Sequence, residues 1–134
     1  YIILIYMMKN HYYQNVSFNK SLKHAWSGLK LIFRDERNFR RDLVIAVFVI
    51  LLGFLFKISH FEWIAISLVI STVLISEALN SVIEAICDTI SCDFKLNIKY
   101  AKDVSAGAVL VSAIVSVITG LLVFTPYILE LFVL

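Results

Sequence analysis

The sequence predicts an all-α membrane protein, with an amphipathic helix lying at the membrane surface and three apolar helices crossing the bilayer. Three observations predict it. Hydrophobic residues make up 60% of the 134-residue chain, against roughly 45–50% in soluble domains. Uncharged apolar runs recur, the longest from Val104 to Leu129, and about 20 such residues suffice for a helix to cross the hydrocarbon. One proline and four glycines in the whole chain leave no material for a linker or second domain. The formal charge of +2 is too small to imply nucleic acid. Cys87 and Cys92 have no histidine or further cysteine near them in sequence, so they read as small packing residues and not as a metal or disulfide framework.

Residues 1–16 are expected to be an extension without assigned function. Tyr1 to Met8 is apolar but too short to span and has no basic region before it, and Met7 or Met8 fits a natural start. A single membrane domain is expected over 17–134.

The surface helix is expected at about 17–41. Leu22, Trp26, Leu29 and Phe33 share one helical face, and Lys23, Ser27, Lys30 and Arg34 lie on an adjoining one. The apolar face suits the acyl boundary, the basic face suits anionic headgroups, and Trp26 suits the interface between them. Gly28, costly in a helix, suggests a close contact. Asp35 to Asn38 reads as a turn or a short polar continuation into the membrane.

The first span is expected at about 42–58. Leu43 to Phe56 holds fourteen uncharged residues, short of a full crossing, but Arg41 and Lys57 can snorkel at its ends. A turn from Lys57 to Glu62 leads to Trp63 at the opposite interface, and the second span is expected at about 62–91. Asp88 to Lys102 reads as a polar connection, and the third span is expected at about 103–131.

The second span carries the polar residues that a hydrocarbon environment does not tolerate idly. At about 100° per residue, Glu77, Asn80, Glu84 and Asp88 fall on one narrow stripe, with Ala78, Leu79, Val82, Ile83 and Ile86 on the other sides. A carboxylate in hydrocarbon costs about 2.5 kcal/mol or more, which a cation, a partner or a polar cavity must offset. The plain alternative is a solvated or protein-facing set of polar residues at a helix end.

Basic residues set the orientation. Eight of the twelve Lys and Arg precede Asp42, three lie between Asp88 and Asp103, and Lys57 stands apart. The N-terminus and the second connection are therefore expected in the cytoplasm and the C-terminus outside. This brings the acidic stripe, Asp35-Glu36 and Lys102-Asp103 to one inner interface. Carboxylates from two helices beside lysine-rich segments suit Mg²⁺ and a nucleotide, because hard oxygen ligands hold the ion while it bridges phosphate oxygens. With no GxxxxGK[ST] or GxGxxG in the chain, such a site is built from helix side chains.

Three motifs resemble those of the prokaryotic integral-membrane diacylglycerol kinase and undecaprenol kinase family. Glu77 to Asp88 matches E-x-x-N-[ST]-x-[IV]-E-x-x-x-D. Ala101-Lys102-Asp103-Val104-Ser105-Ala106-Gly107-Ala108-Val109-Leu110 matches A-K-D-x-x-[AS]-[AG]-A-V-L, and Glu36-Arg37-Asn38-Phe39 matches the E-x-N-F corner. The likeness runs from about Ser17 to Pro126. It looks most like the Gram-positive undecaprenol kinase branch, through that corner, Glu62-Trp63 and Gly120-Leu121-Leu122.

The resemblance implies a homotrimer of three-helix protomers in a bacterial plasma membrane, with active sites shared between subunits. It implies an ATP-dependent lipid kinase using Mg²⁺, with undecaprenol as acceptor or, alternatively, diacylglycerol. Glu77 looks like the catalytic base, and Glu36 and Glu84 look like the Mg²⁺ ligands. Asn80, Asp88, Lys102 and Asp103 look like nucleotide residues, with Asp93, Phe94 and Lys95 resembling the loop over the adenosine. Lys20, Trp26 and Asn38 are the candidate substrate contacts. Many members carry arginine at the start of the surface helix, where this chain has Ser17. A reading from another class, a small helical assembly or cation-transport subunit, predicts ion flux without ATP consumption. An ammonium beside the stripe, at Lys102, favours the kinase.

Overall fold

The computed structural model describes residues 17–90 and 95–133, and over these the chain is helical, with four helices. We name them α1 (Phe18–Asp35), α2 (Arg37–Phe56), α3 (His60–Ile90) and α4 (Leu96–Val133). The chain divides into two units, residues 1–35 and 36–134. The extension 1–16, together with the start assigned to Met7 or Met8, lies outside the described residues.

In the first unit, α1 buries none of its residues. Phe18, Leu22, Trp26, Leu29 and Phe33 stay exposed along one side, as expected of a helix whose apolar face is made for the acyl boundary. Nothing stands within 4 Å of a Cβ built on Gly28, so the close contact expected there is not made among the described residues. The helix stops at Asp35 and not at 41, because Glu36 is extended (φ −97°, ψ 113°) and caps the next helix.

In the second unit, α2 therefore starts at Arg37 and takes in Arg40, Arg41 and Asp42. Its buried residues, Phe39, Ala46 and Gly53, recur every seven positions and mark one line against its neighbour. It ends where Lys57 turns left-handed (φ 53°). There Lys57 N–H donates to Phe54 O at 3.3 Å and Ile58 N–H to Gly53 O at 3.2 Å, satisfying the last carbonyls.

Helix α3 opens with a capping box at Ser59 and Glu62. Glu62 Oε2 accepts from the Ser59 amide at 2.7 Å, and the Glu62 amide donates to Ser59 Oγ at 3.4 Å. Hydroxyls further along satisfy themselves on the preceding turn, Thr72 on Leu68 O at 2.8 Å and Ser76 on Thr72 O at 2.6 Å, as groups in an apolar environment must. The connection to α4 is much shorter than the expected 88–102, since α3 runs to Ile90 and α4 begins at Leu96.

Helices α3 and α4 are long and apolar enough to cross a membrane. They are antiparallel, as three cross-helix hydrogen bonds show: Tyr127 Oη to Glu62 Oε2 at 2.7 Å, Ser105 Oγ to Asn80 Oδ1 at 2.6 Å, and Lys102 Nζ to Asp88 Oδ1 at 2.6 Å. From Glu62 to Asp88 the helix advances about 39 Å, so the two end contacts are farther apart than the roughly 30 Å hydrocarbon. The apolar core lies toward the Glu62 end. Ile58, Ile66, Val123 and Phe124 are buried there, with Phe56, Trp63 and Tyr127 packed around them. The opposite half of α4 presents small buried serines, Ser105 and Ser112, to the seam. That half is the polar one.

Candidate functional site

The site is built on the C-terminal half of α3, where helical periodicity aims Glu77, Asn80, Glu84 and Asp88 to one side. Glu77 is 7% exposed. Its charge is felt together with those of Asp42, Glu36 and Glu84, and of Arg41 as the single cation. The extended Glu36 and the start of α2 thus come to the same place as the stripe of α3. Carboxylates within electrostatic reach of a buried one repel it, and a nearby cation relieves that repulsion.

Asn80 is buried beside them, with Nδ2 donating to Glu84 Oε1 at 2.8 Å and Oδ1 accepting from Ser105 Oγ at 2.6 Å. One helical turn outward, Lys102 Nζ holds Asp88 Oδ1 at 2.6 Å and lies within electrostatic reach of Glu84. Lys102 and Asp103, adjacent in sequence, do not form a pair, because consecutive helical residues point about 100° apart. Asp103 instead accepts from Lys99 Nζ at 2.6 Å. Lys95 is exposed just before α4, while Asp93 and Phe94 lie outside the described residues. Asn38 accepts from Arg41 at the start of α2. Lys20 and Trp26 are exposed on α1 in the other unit.

Two residues of the cluster escaped the sequence reading. Asp42 passed for the boundary of an apolar run, although a carboxylate there, in the same polar segment as Glu36, was the available signal. Ser105 passed for one more small residue in a motif rich in them. Asp42 also caps one end of a cavity of about 210 Å³ between the three helices, lined mainly by Val49, Ile66, Ile70 and Val117.

Among the described residues, no three His, Cys, Asp or Glu side chains form a ready-made metal cage. Glu36 and Glu84 are carboxylates from separate elements, the corner before α2 and the second half of α3.

Residues 23–124 match the family model described as prokaryotic diacylglycerol kinase. The chain belongs to that family. It is 41% identical over 118 residues to the undecaprenol kinase of Bacillus subtilis, covering 88% of this chain and 96% of that one. It is 37% identical over 117 residues to the diacylglycerol kinase of Synechocystis, covering 84% and 65%. Against the diacylglycerol kinase of Escherichia coli it is 30% identical over 100 residues, covering 75% and 82%. The chain is thus a lipid kinase by family, and a cation-transport subunit is not the reading the family supports.

Proposed function

We propose that this lipid kinase transfers the γ-phosphoryl group of ATP to the terminal hydroxyl of undecaprenol. The observation that carries the mechanism is the buried Glu77 standing at the apolar end of a carboxylate cluster, next to Asn80 and Glu84. Support for the acceptor comes from the undecaprenol kinase of Bacillus subtilis, which matches over nearly its whole length.

An alcohol attacks poorly while it keeps its proton. Glu77, at the hydrocarbon boundary, accepts that proton as the lipid oxygen forms its bond to γ-phosphorus and the bond from phosphorus to the ADP oxygen breaks. Glu36 and Glu84 hold Mg²⁺, which when bound neutralises charge on the phosphate oxygens. Asn80 orients Glu84. Lys102, released from or shared with Asp88, adds positive charge beside the phosphates, and Asp103, Asp93, Phe94 and Lys95 line the nucleotide side. Lys20, Trp26 and Asn38 meet the lipid, with Lys20 the base nearest the end where this chain has Ser17.

The architecture proposed for this chemistry is a single domain over 17–134 whose α2, α3 and α4 all span, assembled as a homotrimer with shared sites. For α2 the uncharged stretch is Leu43 to Phe56, and Arg41 and Lys57 extend it by snorkelling. Exposed Val47, Leu51, Val111 and Val115 along these helices suit burial against neighbouring subunits or lipid. The basic segments support a topology with the N-terminus, the second connection and the ATP site in the cytoplasm and the C-terminus outside.

The deciding experiment is radiolabelled phosphate transfer from ATP by purified protein, with undecaprenol and diacylglycerol supplied side by side. Phosphorylation of undecaprenol in clear excess is expected. Diacylglycerol as the better acceptor would reassign the substrate, in line with the Synechocystis and Escherichia coli relatives.

A further inference from the structure

Ser105 is 7% exposed, and its Oγ stands 2.6 Å from Asn80 Oδ1 and 2.9 Å from the Lys102 carbonyl oxygen. Asn80, 9% exposed, faces Glu84 Oε1 with Nδ2 at 2.8 Å. The direction of this short chain of hydrogen bonds is forced by the chemistry of its members. A carboxylate only accepts, so the amide edge that meets Glu84 is the N–H edge. The carbonyl edge of Asn80 then faces Ser105, whose hydroxyl donates. Turning the amide over would set two acceptors against each other at the Glu84 contact and remove an acceptor from the serine.

The three residues also span two helices. Asn80 and Glu84 are one turn apart on α3, whereas Ser105 comes from α4. A hydroxyl needed only to fill the seam has a sufficient partner in its own helix, the Lys102 carbonyl, in the way that Ser112 uses Val109 O at 2.7 Å and Ser116 uses Ala113 O at 2.8 Å. Ser105 differs from both in reaching across to a side chain that itself grips a carboxylate.

We propose that Ser105 is a positioning residue for the metal–nucleotide site. Its hydroxyl fixes the Asn80 amide, the amide fixes Glu84 Oε1, and the second oxygen of Glu84 is thereby presented to the cation. This rests on the reading of Glu84 as a metal ligand. Groups that orient a ligand from behind are typically worth about 10- to 100-fold in metal affinity. Without the hydroxyl, a buried amide oxygen loses its donor, and Asn80 gains a reason to rotate away from Glu84.

The test is binding of Mn²⁺ to the full-length protein in detergent, in the presence of a non-hydrolysable ATP analogue, followed by electron paramagnetic resonance. Glu84→Gln is expected to weaken binding more than tenfold and Ser105→Ala about tenfold. In the Asn80→Ala background, Ser105→Ala should add nothing, because the serine acts through the amide. Ser105→Thr, which keeps the hydroxyl, should restore most of the affinity. Ser105→Cys keeps the shape with a weaker donor and carries the test if Ser105→Ala does not fold, with several-fold weaker binding expected. Parental affinity in Ser105→Ala or Ser105→Cys while Glu84→Gln loses binding would overturn the positioning role and leave Glu84 as a ligand. Additive losses in the double variant would overturn it too. Parental affinity in Glu84→Gln would overturn both readings.

Discussion

Gly53→Ala tests the packing that holds the helices in register at the end away from the site. A Cβ built on Gly53 stands 2.8 Å from Trp63 Cη2, 3.0 Å from Trp63 Cζ2 and 3.2 Å from Ile58 Cδ1. Carbon atoms rest about 3.5–4.0 Å apart, so the new methyl overlaps the indole by about 0.7–1.2 Å. The indole has little room to yield, since the Phe54 ring lies 4.9 Å from it, centroid to centroid, and the buried Ile58 faces the same methyl. Overpacking of this kind costs about 1–3 kcal/mol, and replacing glycine by alanine in a helix returns about 0.5–1 kcal/mol. The net expectation is a loss of up to about 2.5 kcal/mol, read as a lower thermal midpoint at fixed protein concentration in detergent. Gly53 is about 16 Å along the helix from Asp42, so Mg²⁺-ATP affinity should stay at the parental value. A raised midpoint would refute the close approach of α2 and Trp63, and a large fall in nucleotide affinity would refute the separation of core and site.

Three further outcomes are expected. Glu36→Gln and Glu84→Gln should each weaken Mg²⁺-ATP binding strongly by calorimetry, and parental affinity in both would remove them as ligands. In a cysteine-free background, a cysteine at His60 should react with an impermeant reagent added to intact cells, whereas one at Asn97 should not; the reverse pattern would invert the topology and displace the cytoplasmic ATP site. Tyr127→Phe keeps the ring against Phe56, 6.0 Å away, but removes the donor to Glu62. It should lower the thermal midpoint without changing nucleotide affinity, and an unchanged midpoint would show that the α3–α4 contact at that end contributes no stability.

The stripe on α3 was legible because its residues are polar in a run that is otherwise hydrocarbon, and because a period of 3.6 alone sets Glu77, Asn80 and Glu84 together. The glutamate corner was legible for a similar reason, as a carboxylate motif just ahead of an apolar run. Helix ends were not. Polarity between Asp88 and Lys102 marks where the chain leaves the membrane, whereas a helix continues into water as long as its backbone bonds are made, which is why α4 begins at Leu96, well before the third span expected from about 103. Glu36 breaks the helix inside the polar run read as a turn or a continuation, but with no glycine or proline there the sequence did not decide between the two. Pairing across the seam was also hidden. That Lys102 takes Asp88 and leaves Asp103 to Lys99 depends on how α3 and α4 meet, and a serine among alanines and glycines gives no sign that it reaches a side chain 25 positions away.

The central claim is that Glu77 takes the proton from the lipid hydroxyl, and it is tested most directly by Glu77→Gln, which keeps the shape of a buried side chain and removes the base. Turnover with undecaprenol and affinity for Mg²⁺-ATP are measured on the same purified preparation. Turnover should fall by about 10²-fold or more, the usual scale for losing a general base, while affinity stays near the parental value, since Glu77 is not proposed as a metal ligand. Near-parental turnover, or a loss of activity accounted for wholly by lost nucleotide binding, would contradict the assignment.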